Sequence, residues 1–377
     1  MNDGSGILLD EAELAALRES IVDVLNTECD SRTVHAWLDR DNDLGPAIWR
    51  QAAELGWLGL ALPEADGGLG LGVRGLQILI GELGARVTPG GFIPTICVAQ
   101  WLATVADADL RATLLGPVVA GQAGFALPTV IEGASVVPLS SDGKAITGKI
   151  DIAGCAPGSV ESEFAVVPLD AAWAIVRIDG ATATAEPIEI WDLTRDLFVL
   201  NCANAPIVAK FDDPSGALGT LLGSYLAVAL AADSLGGANA IMQKTIDYMK
   251  ERVQFDRTIA TFQALRHRIA DMAIAIATQN SLLEQAVQCL DNGSPDAAMW
   301  ARISKARATE TFASTADDCI KLHGGVGHTW EFDPHIYIKR AFLNEALLGN
   351  NRAMRDTAIG LLDRAMDEGR TTTELDT

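Results

Sequence analysis

The residues best suited to chemistry lie together at 251–264, Glu251-Arg252-Val253-Gln254-Phe255-Asp256-Arg257-Thr258-Ile259-Ala260-Thr261-Phe262-Gln263-Ala264. An arginine and an aromatic close one long helical stretch, and Phe262-Gln263 open the next. This sets the Arg252 guanidinium at a turn between helices, where its planar fork can take a phosphate through two hydrogen bonds. The same arginine could instead satisfy the carbonyls at the helix end. A second candidate, Gly67-Gly68-Leu69-Gly70-Leu71-Gly72, looks like a phosphate loop. It neither follows a strand nor belongs to a βαβ unit, so a turn between helices is the expectation. Three of the five histidines, His323, His328 and His335, cluster late in the chain. Their spacing matches no zinc pattern and no Cys or Glu completes one, so no metal is expected. The six cysteines are scattered without a C-x-x-C pair, as buried thiols of a reducing compartment would be. There is no G-x-S-x-G elbow and no P-loop.

The elements that must carry these residues follow from apolar periodicity. Amphipathic helices are predicted over 10–26, 46–55 and 74–85, with further helical signal at 96–105 and 110–115. Short β-branched runs at 145–152, 164–168, 172–178 and 198–200, punctuated by Gly, Pro, Asp and Ser, predict a compact β domain. Long helices return over 218–253, 264–290 and 295–322, break at Gly324-Gly325, and resume over 334–367, the pattern of a four-helix-bundle type of domain. The expected domains are an α-helical one over 1–123, a β one over 124–213 and a helical bundle over 214–377.

The chain has 377 residues, 49% of them hydrophobic, ample for a large core. Its net charge of −22 argues against nucleic acid as a partner. Residues 215–232 carry no charge, but their glycines and the lack of an aromatic belt favour a buried helix over a membrane span. The N-terminus has no basic region followed by an apolar stretch, so a cytoplasmic protein without a membrane partner is expected.

At 251–272 the chain resembles the acyl-CoA dehydrogenase family, which carries E-R-x-x-F-G-x-x-I-x-x-F-Q followed by A-D-M. Each element is present here, closing at Asp271-Met272, except that Asp256 stands where the family has Gly. The run Lys321-Leu322-His323-Gly324-Gly325-Val326-Gly327-His328-Thr329-Trp330-Glu331 resembles a second family signature. Glu54-Leu55-Gly56-Trp57-Leu58-Gly59-Leu60, Pro63-Glu64, Gly67-Gly68-Leu69-Gly70 and Glu82-Leu83-Gly84 are also similar to the family's N-terminal runs. The resemblance spans nearly the whole chain in order. It implies a mainly α fold with a central, β-barrel-like domain, and FAD as cofactor. It implies an activity in which a Glu takes the α proton of an acyl-CoA thioester while the β hydride goes to the flavin.

Further implications concern assembly. In the family each FAD lies across two subunits, its ADP half against the neighbour's arginine turn and double-glycine loop. The corresponding positions are Arg252, Gln254, Phe255, Phe262, Gln263, Lys321, Gly324 and Gly325, with Lys321 where the family usually has Gln. The flavin-facing motifs are not kept: 127–135 reads Leu-Pro-Thr-Val-Ile-Glu-Gly-Ala-Ser, and 150–154 reads Ile-Asp-Ile-Ala-Gly. Leu348 occupies the usual position of the catalytic Glu and Leu226 the alternative one. Glu345, one helical turn earlier, is the remaining candidate base. This pattern resembles the base-deficient partner in actinobacterial heterotetrameric acyl-CoA dehydrogenases acting on steroid side-chain thioesters. The expected partners are then a homologous subunit binding most of the acyl-CoA, and an electron-transfer acceptor. Two alternatives stand beside it: a self-sufficient homo-oligomer using Glu345, and a fold relative that binds an acyl-CoA or a partner without redox chemistry.

Overall fold

The computed structural model describes residues 10–131, 143–154 and 160–370. Helices come first: α1 (Glu11–Glu28), α2 (Ser31–Leu38), α3 (Leu44–Glu54), α4 (Gly72–Ala85), α5 (Phe92–Val105) and α6 (Ala108–Val119). Their starts are written in the sequence. Asp10 and Glu13 form a reciprocal capping box, and Asp30 and Asp107 accept from backbone N–H groups of the first turns of α2 and α6. The helix α2 has no counterpart in the predicted elements, because its eight residues are too few for a clear period.

Six strands follow: β1 (Ala123–Pro128), β2 (Ala145–Gly154), β3 (Ser162–Leu169), β4 (Ala172–Arg177), β5 (Ala183–Pro187) and β6 (Asp196–Asp212). The order β2-β1-β3-β4-β6 closes on itself through β2–β6 pairing, so the sheet is a small barrel with β5 on the flank of β6. The long β6 makes closure possible: residues from Asp196 to Pro206 pair with β2, and those from Ile207 to Asp212 pair with β4. Ile146, Ile152, Ala165, Val167, Ala174, Val176 and Leu200 fill the barrel interior. The strands β1 and β5 were not among the predicted ones; β1 is buried at every position, which removes the alternation that identifies a strand.

The remainder is helical: α7 (Ala217–Glu251), a hairpin of β7 (Val253–Gln254) and β8 (Arg257–Thr258), then α8 (Gln263–Asp291), α9 (Ala297–His323), α10 (Pro334–Ala346) and α11 (Asn351–Asp367). The helix α9 packs against α7, α8, α10 and α11, and α7 also meets α4 and α5 of the N-terminal helices. Glycines make the α4–α7 crossing close: a Cβ on Gly84 or Gly236 would strike the backbone of the opposite helix. Among the described residues α7 alone is long and apolar enough to cross a membrane, and 78% of its most apolar window is buried inside the protein.

A buried ionic network joins these layers. Arg340 of α10 donates to Asp192 at 2.7 Å and to Asp233 of α7 at 3.1 Å, and Arg195 donates to Asp233 at 2.8 Å. Arg340 also donates to Thr194 and to the Val87 and Thr88 carbonyls, and Asn344 donates to Asp233. Two arginines against two carboxylates leave the cluster neutral. Burial pushes the Asp192 carboxyl pKa up, but Arg340, the Thr194 hydrogen bonds and Arg195 together bring it below its ordinary value. Burial and the neighbouring Arg340 bring Arg195 down to about 10, partly offset by Asp233.

Candidate functional site

The hairpin between α7 and α8 is the first half of the site. Its two-residue tip, Phe255-Asp256, has φ of 54° and 60°, the doubly left-handed geometry of a type I′ turn. The family's Gly suits the second tip position better than the Asp256 found here. The tip throws Phe255 outward to 85% exposure, and its ring meets Phe262 edge-on at 6.2 Å. Arg252 continues the ladder by accepting from the Ile259 N–H at 2.8 Å. Its side chain is exposed and has no carboxylate or hydrogen-bond partner among the described residues. Gln254 and Gln263 are exposed on the same turn.

The double glycine is the second half, and stacking brings it to the first. Tyr248, one turn before Arg252, lies flat on His323, the last residue of α9, with centroids 4.3 Å apart. Its hydroxyl donates to the His323 carbonyl at 3.3 Å. His323 Nδ1 donates to the Cys319 carbonyl at 2.8 Å, and burial pushes the imidazole pKa down against that bond. Gly324 ends α9 with φ of 68°, a conformation that costs a side-chain-bearing residue dearly. A Cβ on Gly324 or Gly325 would meet nothing within 4 Å, so both face open space that another molecule's polar atoms can approach closely. Lys321 differs from the others: it pairs with Asp317 at 2.5 Å and Asp318 at 3.5 Å within its own helix. Arg257 and Tyr248 are the residues here that motif positions did not single out.

The region where the resemblance places the flavin is built quite differently. Leu127 and Pro128 of β1, Ala153 and Gly154 of β2, Leu226 and Leu230 of α7, and Leu347 close around a cavity of only about 30 Å³. Ligand pockets commonly enclose roughly 300–1,000 Å³. A Cβ on Gly154 would press on the Phe125 carbonyl at 3.2 Å, so the β1–β2 seam is tight as well. Leu348 is buried with φ of 68°, and its N–H donates to the Thr129 carbonyl at 2.7 Å. A β-bridge from Val130 to Leu348 seals the same seam. Lys305 holds the loop from beneath, donating to the Glu345 carbonyl at 2.8 Å and the Gly349 carbonyl at 2.7 Å. Burial lowers the Lys305 pKa to about 7, with Glu345 opposing the shift. The half-buried Glu345 carboxylate is not in the cavity wall. Residues 132–135 of the altered flavin-facing stretch lie outside the described residues.

The glycine run 67–72 is a packing turn. Asp291, from the end of α8, accepts from the Val73 N–H at 2.8 Å and the Arg74 N–H at 3.3 Å, which fills the N-terminus of α4. A surface groove of about 790 Å³ between Trp37 and Trp191 lies away from the hairpin and the double glycine, and shares Arg195, Asp196 and Leu197 with the small cavity.

The chain belongs to the acyl-CoA dehydrogenase family: the family's N-terminal domain matches residues 11–122 and its C-terminal domain residues 224–359. Among curated relatives, the acyl-CoA dehydrogenase IpdE2 of Mycobacterium tuberculosis is 28% identical over 90% of this chain and 94% of its own length. Among solved structures, a variant of the Tcur3481-Tcur3483 steroid ACAD superposes with a TM-score of 0.81 at 25% identity, over 94% of this chain and 99% of that one. The ChsE4-ChsE5 complex from Mycobacterium tuberculosis shares the fold, with a TM-score of 0.80 at 21% identity over 97% and 99%.

Proposed function

We propose that this chain is the base-deficient subunit of an FAD-dependent acyl-CoA dehydrogenase built from two kinds of homologous chain. The observation that carries this is Leu348. An aliphatic side chain stands at the base position, and its N–H is already bonded to Thr129. It can neither take the α proton nor polarise a thioester carbonyl. The cavity of about 30 Å³ walled by the adjoining Leu347 has no room for an isoalloxazine and a thioester.

The other half of the site fits a cofactor's nucleotide end. Unpaired Arg252, exposed Gln254, Phe255 and Gln263, the partly exposed Phe262 and the open Gly324-Gly325 backbone form a surface for a diphosphate and its adenosine. Lys321 joins them only by leaving Asp317. In this reading the partner chain binds the flavin ring and most of the acyl-CoA, and this chain grips the ADP half from outside. When bound, FAD supplies the hydride acceptor for α,β-dehydrogenation of the thioester. This chain's residues orient the cofactor and exclude water from the joint.

The likeness to the acyl-CoA dehydrogenase IpdE2 supports an acyl-CoA substrate, and that to a steroid ACAD supports a steroid-derived one, for the assembly. A cytoplasmic setting agrees with five cysteines that are buried and free among the described residues. A self-sufficient dehydrogenase using Glu345 would need that carboxylate in the cavity wall, and it is not there; the carboxylate that lines the cavity is Asp196 of β6, which is at neither of the family's base positions.

The test is the spectrum and activity of the chain purified alone and mixed with FAD. The reading expects no retained flavin absorbance after gel filtration and no turnover of acyl-CoA thioesters. A yellow, active homo-oligomer would contradict it.

A further inference from the structure

Resting on the proposed role of the arginine hairpin, we infer that Arg257 is a further binding residue for the same nucleoside diphosphate. It lies outside the motif positions through which the chain resembles its family. The hairpin register pairs Gln254 with Arg257 and Val253 with Thr258, and the Ile259 N–H to Arg252 carbonyl bond extends the ladder by one pair. Side chains alternate across a strand, so Arg252, Gln254, Arg257 and the buried Ile259 share one face while Val253 and Thr258 take the other. Arg252 and Arg257 are then diagonal neighbours, with Cβ atoms roughly 7–8 Å apart. Two long side chains at that spacing can close on adjacent phosphate groups, with the Gln254 amide between them.

The state of the Arg257 guanidinium supports this. Its Cζ lies 4.0 Å from the centroid of the Phe262 ring. The contact restrains the guanidinium, whose N–H groups make no hydrogen bond among the described residues, so less freedom is lost when an anion binds. Arg257 is exposed and, among the described residues, makes no ion pair; the same is true of Arg252. Arg18, Arg74, Arg86 and Arg111, by contrast, have carboxylate partners, in a chain with 50 acidic residues against 28 Lys and Arg. The nearest acids in sequence, Glu251 and Asp256, are exposed and form no ion pair with either arginine.

The experiment measures FAD affinity and flavin content in the assembled complex, isolated through a tag on this chain. Arg257→Ala is compared with Arg252→Ala, and native mass confirms that each variant assembles. Arg257→Ala is expected to weaken FAD binding about tenfold, the size of one lost charged hydrogen-bond partner, and to flatten its dependence on salt. Should Arg257→Ala fail to assemble, Arg257→Lys keeps the charge without the planar stack and is expected to weaken binding severalfold. Loss of FAD affinity in Arg252→Ala with wild-type affinity and salt dependence in the Arg257 variants would overturn the inference and leave the proposed function standing. Wild-type affinity in both alanine variants would overturn the proposed function itself.

Discussion

At position 348 the side chain is aliphatic, the backbone is left-handed and the N–H is already bonded to Thr129. Restoring the acid alone therefore does not restore the chemistry. Leu348→Glu in the isolated chain is expected to stay inactive towards acyl-CoA thioesters in a dye-reduction assay, because the new carboxylate would face a closed seam. Glu345→Gln in the active assembly is expected to leave kcat within about twofold, whereas loss of a general base typically costs 10²–10⁴-fold. Position 256 offers a test of backbone conformation. Asp256 sits at φ of 60° in the hairpin tip, where Gly is free of the Cβ penalty. Asp256→Gly is expected to stabilise the chain by about 0.5–1 kcal/mol in denaturant titration.

The loop from Glu345 to Gly349 is held by a buried lysine rather than by its own sequence. Lys305 titrates near 7 in the folded chain and at its ordinary 10.5 when unfolded. Between those values the unfolded chain holds a proton that the folded chain has lost, so this group makes stability rise with pH. Lys305→Met is expected to flatten the slope of unfolding free energy between about pH 7 and 10, read as the difference from wild type. Such contacts explain what the sequence could and could not disclose. The hairpin was legible because Arg252, Gln254, Phe255, Phe262 and Gln263 are close in sequence and their spacing is local. The long helices were legible for the same reason, through period and caps. Lys305 beneath Leu348 was not, nor was Tyr248 stacked on His323, since each pairs residues dozens of positions apart. The stretch 341–348 shows the limit from the other side. It is apolar apart from Asn344 and Glu345, yet Ala341, Leu347 and Leu348 are buried within the chain, leaving Phe342 as its exposed large apolar residue.

Across the whole molecule, the network of Arg340, Asp192, Arg195 and Asp233 fastens the helical bundle to the barrel's connecting loop and to the end of α4. Removing one partner leaves a buried charge unpaired, so Asp192→Ala is expected to cost about 3–5 kcal/mol of stability in thermal or chemical unfolding. This clamp bears on function because Arg195 also lines the shut cavity, so the network and the sealed seam stiffen the same wall. On the proposed reading, a chain so closed at the Leu348 seam, yet open at Arg252 and Gly324, gives half of a cofactor site to a neighbour and keeps none for itself. Native mass measurement with flavin quantitation, on the complex isolated through a tag on this chain, tests that claim most directly. The expected result is an assembly of this chain with a second, homologous chain, carrying one FAD for every two chains. One FAD per chain, or a flavin-bearing oligomer of this chain alone, would contradict it.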